Sequence, residues 1–200
     1  LDAGCDFDAL SAALATLRFD GYKLRRERAN RRGVVAERYL VEAGYEHHHR
    51  GLGDILQLID GADLPTRAAD RAKRIFIRLA EAEAKVHDTT VEEVHFHAVG
   101  AVDSILDIVG ASVALELLGI DRVLCSPIPV GSGTVTCAHG TMPVPAPATA
   151  ELLRGAATCG TDLPGEATTP TAAAILTTLT ESYGPMPAMD ISAVGYGAGS

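Results

Sequence analysis

The chain has 200 residues and a formal charge of −9, from 17 Lys and Arg against 26 Asp and Glu. That length suits one domain or two small ones, and an apolar fraction of 47% with few aromatics and no Trp means a sizeable core built from Ala, Leu, Val and Ile. The acidic balance argues against a general nucleic-acid binder, and no run reaches the roughly 18 apolar residues of a membrane span.

The opening LDAGCDFDAL reads as the end of one element and the start of another, so further chain is expected upstream. FDALSAALATL has helical spacing. YKLRRERANRRGVVAERYLVEA reads as a β-hairpin, with its turn at residues 30–33 and alternation through Val35, Glu37, Tyr39 and Val41. Residues 18–38 hold eight Lys or Arg against three acids, so the rest of the chain is the more acidic part. EHHHRG follows as a polar connection, and GLGDILQLID starts a short helix. Beyond LPT, the spacing of Ala68, Ala72, Ile75, Leu79, Ala82 and Val86 predicts a long amphipathic helix, with Pro65 and Thr66 as starting residues. VEEVHFH reads as a short extended or turn segment.

Residues 101–118 predict a second long helix, apolar round most of its circumference and therefore central, with Gly119 ending it. DRVLCSPIPVGSGTVTC suggests a strand, a Pro/Gly-rich crossing and another strand. Helices follow at PATAELLRGA and at TTPTAAAILTTLTESYG, the latter capped by Thr168 or Thr169 with Pro170 in its first turn. MDISAVGYGAG reads as a strand running into glycines. No repeat or linker is visible. The expected class is mixed α/β: a mixed sheet with a β-hairpin and packed helices around one long buried central helix, residues 1–200 forming a single domain. Cys5, Cys125, Cys137 and Cys159 are widely spaced without a C-x-x-C, which fits free thiols in a reducing compartment and a cytoplasmic protein.

VHFHAVGAVDSILDIVGA places imidazoles and carboxylates beside a greasy run, where polar groups are costly to bury unpaired. His95 and His97 share a side if extended, and Asp103 and Asp107 share a face if helical. Two imidazoles and two carboxylates suit a divalent transition metal. The same residues also fit a closed network in which Asp103 caps the helix and His97 bonds to it. His47, His48 and His49 form a tract that either captures metal or is an inert polar loop. Cys137 and His139 offer a thiol and an imidazole two residues apart, or simply a strand end with a half-buried Cys. Thr168 and Thr169 open a helix that could take a phosphate, although plain capping explains the same residues and is the favoured reading. The basic hairpin, with Arg31 and Arg32 at its tip, could hold a phosphate or present a solvated face. GSG lacks the P-loop pattern, and GYGAG is too short for a dinucleotide fingerprint.

In order, VHFHAVGAVDSILDIVGA, SPIPVGSG, CAHGTMPVPAPAT, TDLPGEATTPTAAA and VGYGAG resemble the LarC family, with HHHRGLGDI and the hairpin agreeing. The resemblance implies a cytoplasmic nickel insertase, a lyase-type chelatase or cyclometallase. Its reaction places Ni(II) into pyridinium-3,5-bisthiocarboxylic acid mononucleotide, forming one carbon–nickel and two sulfur–nickel bonds. CTP is consumed, with Mg or Mn beside the nucleotide, and the product serves lactate racemase. The implied partners are the mononucleotide precursor, a C-terminal domain associated with CTP, lactate racemase and further copies of the chain in a homo-oligomer. An upstream strand with a Gly/Ser-rich turn and the CTP-associated domain of the family are both missing from these 200 residues.

The resemblance also gives the polar clusters work. His47, His48 and His49 would capture nickel, and His95, His97, Asp103 and Asp107 would hold it or position the precursor. Cys137 and His139 would take part in hand-over, Thr168 and Thr169 would meet the mononucleotide phosphate, and Arg31 and Arg32 would assist. The chain departs from the family pattern at Ala98, where Glu is usual, and in its short His tract. A non-catalytic nickel-delivery domain is the alternative. A metal-dependent hydrolase is disfavoured because H-E-x-x-H is absent.

Overall fold

The computed structural model describes residues 1–19, 21–43, 50–94, 96, 102–137 and 139–199. Helix α1, Phe7–Ala15, starts where the Asp6 carboxylate accepts from the N–H groups of Asp8 and Ala9, at 2.8 and 3.1 Å. Those two bonds satisfy donors that a helix start otherwise leaves open. The hairpin strands β1, Tyr22–Arg31, and β2, Val34–Ala43, pair antiparallel along their whole length. Arg32 and Gly33 form its two-residue turn at φ 53° and 92°, and Asn30 Oδ1 accepts from Gly33 N–H. Positive φ at both positions is what matches the turn to the strand twist.

Helix α2, Leu52–Asp60, leads to α3, Thr66–His87. The periodic stripe of α3 is buried from Ala68 to Ala82. Val86, expected on that stripe, is instead 39% exposed, because the last turn of α3 forms a cleft wall rather than a helix contact. Helix α4, Val102–Leu117, buries Ile105, Leu106, Ile108 and Val109 against α3 and α1. α1 packs beside Gly110, where an added Cβ would make an ordinary contact with Leu14 at 3.5 Å.

The second half is made of short pieces. Strand β3 is Val123–Cys125, β4 Ile128–Pro129, β5 Gly131–Ser132, β6 Thr134–Cys137 and β7 Gly140–Pro143. Helix α5, Pro147–Leu152, then precedes β8, Thr158–Cys159, and β9, Gly165–Glu166. Helix α6, Pro170–Leu179, runs straight into β10, Thr180–Tyr183. Helices α5 and α6 pack on α3 and on each other.

The class is mixed α/β, as expected, with both strand polarities present. The strands are divided, among the described residues, into five two-stranded sheets rather than one continuous sheet. β3 with β10 and β4 with β8 are parallel, and β5 with β9 and β6 with β7 antiparallel. Pro127, Pro129, Gly131 and Gly133 interrupt the ladder, since Pro cannot donate to it and Gly weakens it.

Two expected elements differ. The helix from residue 168 does not extend through TESY, which pairs with β3 instead. The C-terminal stretch is not a regular strand. Among the described residues it makes one isolated parallel bridge, from Gly197 to Glu37, with Glu37 N–H donating to Tyr196 O and Ala198 N–H to Glu37 O. Arg31 Nη2 donates to Gly199 O at 2.7 Å, and Tyr196 N–H to Asp2 Oδ2 at 2.9 Å, so this segment is pinned between the chain start and the hairpin. No helix among the described residues is long and apolar enough to cross a membrane.

Candidate functional site

The expected metal residues His47, His48, His49, His95 and His97 lie outside the described residues. Of the remaining candidates, Asp107 lines one cleft and Cys137 and His139 line another.

Asp103 and Asp107 stand one turn apart on α4, and Asp103 Oδ1 accepts from Ser104 N–H at 2.8 Å. Asp107 lines a cleft of about 530 Å³ with Glu37, Tyr39, Asp2 and residues 195–199. It is open to solvent on one side, yet the crowded walls desolvate it. That desolvation, with the Asp103 carboxylate second, pushes its carboxyl up to about 6. Burial also raises the Tyr39 phenol, helped by the charge of Asp107, and its hydroxyl is buried with no hydrogen-bond partner among the described residues. Glu37 is the counterpart. Its side chain is 4% exposed, and Arg26 grips it through Nε and Nη2 at 2.7 and 3.0 Å, with Arg28 Nε at 3.3 Å. The hydrogen bonds from Arg26 above all hold its carboxyl at about 2. A buried carboxylate is tolerable only with such partners. The cleft therefore combines an anchored permanent charge with a carboxyl that changes protonation near neutral pH.

The second cleft, about 500 Å³, is walled by the end of α3, by β6 and β7, and by the starts of α5 and α6. Its lining is largely apolar, including Val86, Val135, Met142, Pro147 and Pro170. A few convergent polar groups in an apolar cleft are the usual signature of a small-molecule site. Cys137 Sγ stands 4.0 Å from His139 Nδ1, across the tight β6–β7 turn. The His139 ring packs on His87 at a centroid distance of 5.0 Å, and His87 Nε2 meets Glu83 Oε2 at 3.4 Å. Glu166 lines the same cleft.

Thr168 and Thr169 immediately precede α6, whose first residue, Pro170, lines the cleft, and both hydroxyls have structural bonds. Thr168 Oγ1 donates to Pro129 O at 2.6 Å, and Thr169 Oγ1 accepts from Ala172 N–H as the helix cap. Arg31 and Arg32 are at the hairpin tip, and neither lines the Cys137 cleft. The structure thus brings Cys137 and His139 to one cleft and Asp107 to another. Among the described residues no three His, Cys, Asp or Glu side chains already converge tightly enough to enclose an ion. Sequence reading missed His87, Glu83, Tyr39 and Glu37. The Glu83–His87 spacing of four was available as a signal, but it looks like any pair on a charged helix face.

Comparison with known proteins bears on what these clefts handle. A relative from Geobacter metallireducens is 50% identical over 202 residues, covering all of this chain and 52% of the relative. The pyridinium-3,5-bisthiocarboxylic acid mononucleotide nickel insertion proteins of Desulfitobacterium hafniense and Staphylococcus epidermidis are 47% and 44% identical, over all of this chain and 50% and 51% of theirs. The chain spans about half the length of the curated relatives it matches. No solved structure matches it. The family model described as nickel insertion protein matches residues 1–200 without remainder, and the chain belongs to that family.

Proposed function

We propose that this chain acts in nickel insertion into pyridinium-3,5-bisthiocarboxylic acid mononucleotide, the substrate named for two of its relatives. The observation that carries this reading is the Cys137–His139 pair in a largely apolar cleft. Thiolate and imidazole are donors that nickel accepts, and apolar walls suit a flat aromatic ring. Nickel is the cargo here. When a ring carbon exchanges hydrogen for nickel, it releases a proton; in this reading Cys137 yields the metal to the precursor's sulfurs and His139, once it has given up the metal, accepts that proton.

In this reading His47, His48 and His49 capture nickel, and His95, His97, Asp103 and Asp107 hold it or position the precursor. Thr168 and Thr169 serve the phosphate indirectly, by building the start of α6. Arg31 and Arg32 supply positive charge at the hairpin tip. Residues 1–200 act as one domain of a longer, cytoplasmic, self-associating protein. CTP use, with its Mg or Mn, belongs to a C-terminal domain, and lactate racemase receives the product.

The test is incubation with Ni(II), precursor, CTP and Mn(II), followed by mass spectrometry of the nucleotide. Single-turnover product that is lost in a Cys137→Ala, His139→Ala variant supports insertion at this cleft. Product formed by that variant at the unaltered rate contradicts it. A second reading is nickel delivery to a partner that completes the reaction, since a Cys–His pair can carry nickel without inserting it. Tight nickel binding without product identifies that case.

A further inference from the structure

We propose that the end of α3 and the β6–β7 turn together form a soft-metal site whose ligands are Cys137, His139 and His87, with Glu83 orienting His87. Nothing in the Cys137–His139 sequence pair points to α3. The fold brings it there.

Two of the three separations, His87 to His139 and Cys137 to His139, are close to those a shared ion needs. An ion about 2.0–2.1 Å from one nitrogen of each of two imidazoles holds the ring centroids roughly 4.5–5.3 Å apart, for angles between right-angled and tetrahedral. The His87 and His139 centroids are 5.0 Å apart with planes at 42°. A thiolate and an imidazole on a tetrahedral ion stand about 3.5 Å apart, given metal–sulfur and metal–nitrogen bonds of about 2.3 and 2.0 Å. Cys137 Sγ and His139 Nδ1 are at 4.0 Å, so closing the site takes a shift of about half an ångström in side chains on an exposed turn.

Two further features favour a cation at this place. His87 Nε2 faces the Glu83 carboxylate one turn back. Metal-ligating imidazoles are commonly oriented by such a carboxylate. His87 is also the last residue of a 22-residue helix, whose carbonyl end carries partial negative charge. The thiolate makes the site selective for nickel, cobalt or zinc over magnesium or calcium.

This inference rests on the hand-over reading only for the identity of the metal as nickel. The probe is Co(II), titrated into a protein in which His47, His48 and His49 are alanine, so that the tract contributes nothing. Expected is a near-ultraviolet thiolate-to-cobalt charge-transfer band that Cys137→Ser abolishes. His87→Ala should keep that band, shift the visible ligand-field bands and weaken binding about tenfold or more. His87→Gln, which preserves bulk, should do the same if the alanine variant folds poorly. A charge-transfer band whose affinity and visible bands are indifferent to both His87 variants overturns the inference and leaves the hand-over reading intact. Absence of any thiolate band in the parent protein overturns both.

Discussion

Thr168 separates a structural threonine from a phosphate ligand. Thr168→Val keeps the shape of the side chain and removes its hydroxyl. The residue is 4% exposed, and its Oγ1 donates to Pro129 O at 2.6 Å, tying the start of α6 to β4. A hydrogen bond contributes about 0.5–1.5 kcal/mol net, and a buried acceptor left without its donor costs about 1–3 kcal/mol. We expect the valine variant to lose about 1–3 kcal/mol, and Thr168→Ser, which keeps the hydroxyl, about 1 kcal/mol or less. For a chain of this size that lowers the valine variant's Tm by roughly 2–12 °C. Urea unfolding followed by circular dichroism reads the stability, and equilibrium titration with the mononucleotide reads binding by the folded fraction. A valine variant within about 0.5 kcal/mol of the parent that has nevertheless lost precursor affinity would refute the structural assignment and make Thr168 a direct ligand.

Asp107 carries the opposite pH signature from Glu37. Its folded carboxyl lies at about 6, above the unfolded value of about 3.9, so the native state binds more protons between those values and stability falls as pH rises through that window. Asp107→Asn should remove this slope and recover roughly 1 kcal/mol at pH 7, a figure discounted for the open side of the cleft. Unfolding curves at pH 4.5 and 7.5 check it. The Glu37 carboxyl is depressed to about 2, so its stabilisation is present above roughly pH 4.3 and is lost as pH falls through 2. Glu37→Gln should flatten that acid limb and speed amide exchange at Ala198, whose N–H donates to the residue 37 carbonyl. Gly131→Ala should destabilise by about 2–5 kcal/mol in urea unfolding, because its Cβ runs into the Gly165 carbonyl at a φ of 81°.

The parts of the fold legible in sequence are those in which local pattern and tertiary contact agree. Ala68, Ala72, Ile75 and Leu79 repeat at helical spacing and are buried together. Asn30 and Gly33 supply the chemistry of a two-residue turn, and the hairpin forms around it. TESY was less legible because its partner β3 lies more than fifty residues earlier, and that pairing overrides a helical tendency. The tail GYGAG is ordered by Glu37, Arg31 and Asp2, none of them near it in sequence. The same holds for the candidate site. Cys137 and His139 are neighbours and were found as a pair, whereas His87 joins them only through the packing of α3 against the second half of the chain.

The most direct measurement is calorimetric titration of Ni(II) into the protein with His47, His48 and His49 changed to alanine, before and after a further Cys137→Ser, His139→Ala change. The account predicts tight binding that survives loss of the tract and weakens about tenfold or more with the second change. Affinity unaffected by the second change, or binding that disappears with the tract alone, would contradict a nickel site at the Cys137 cleft.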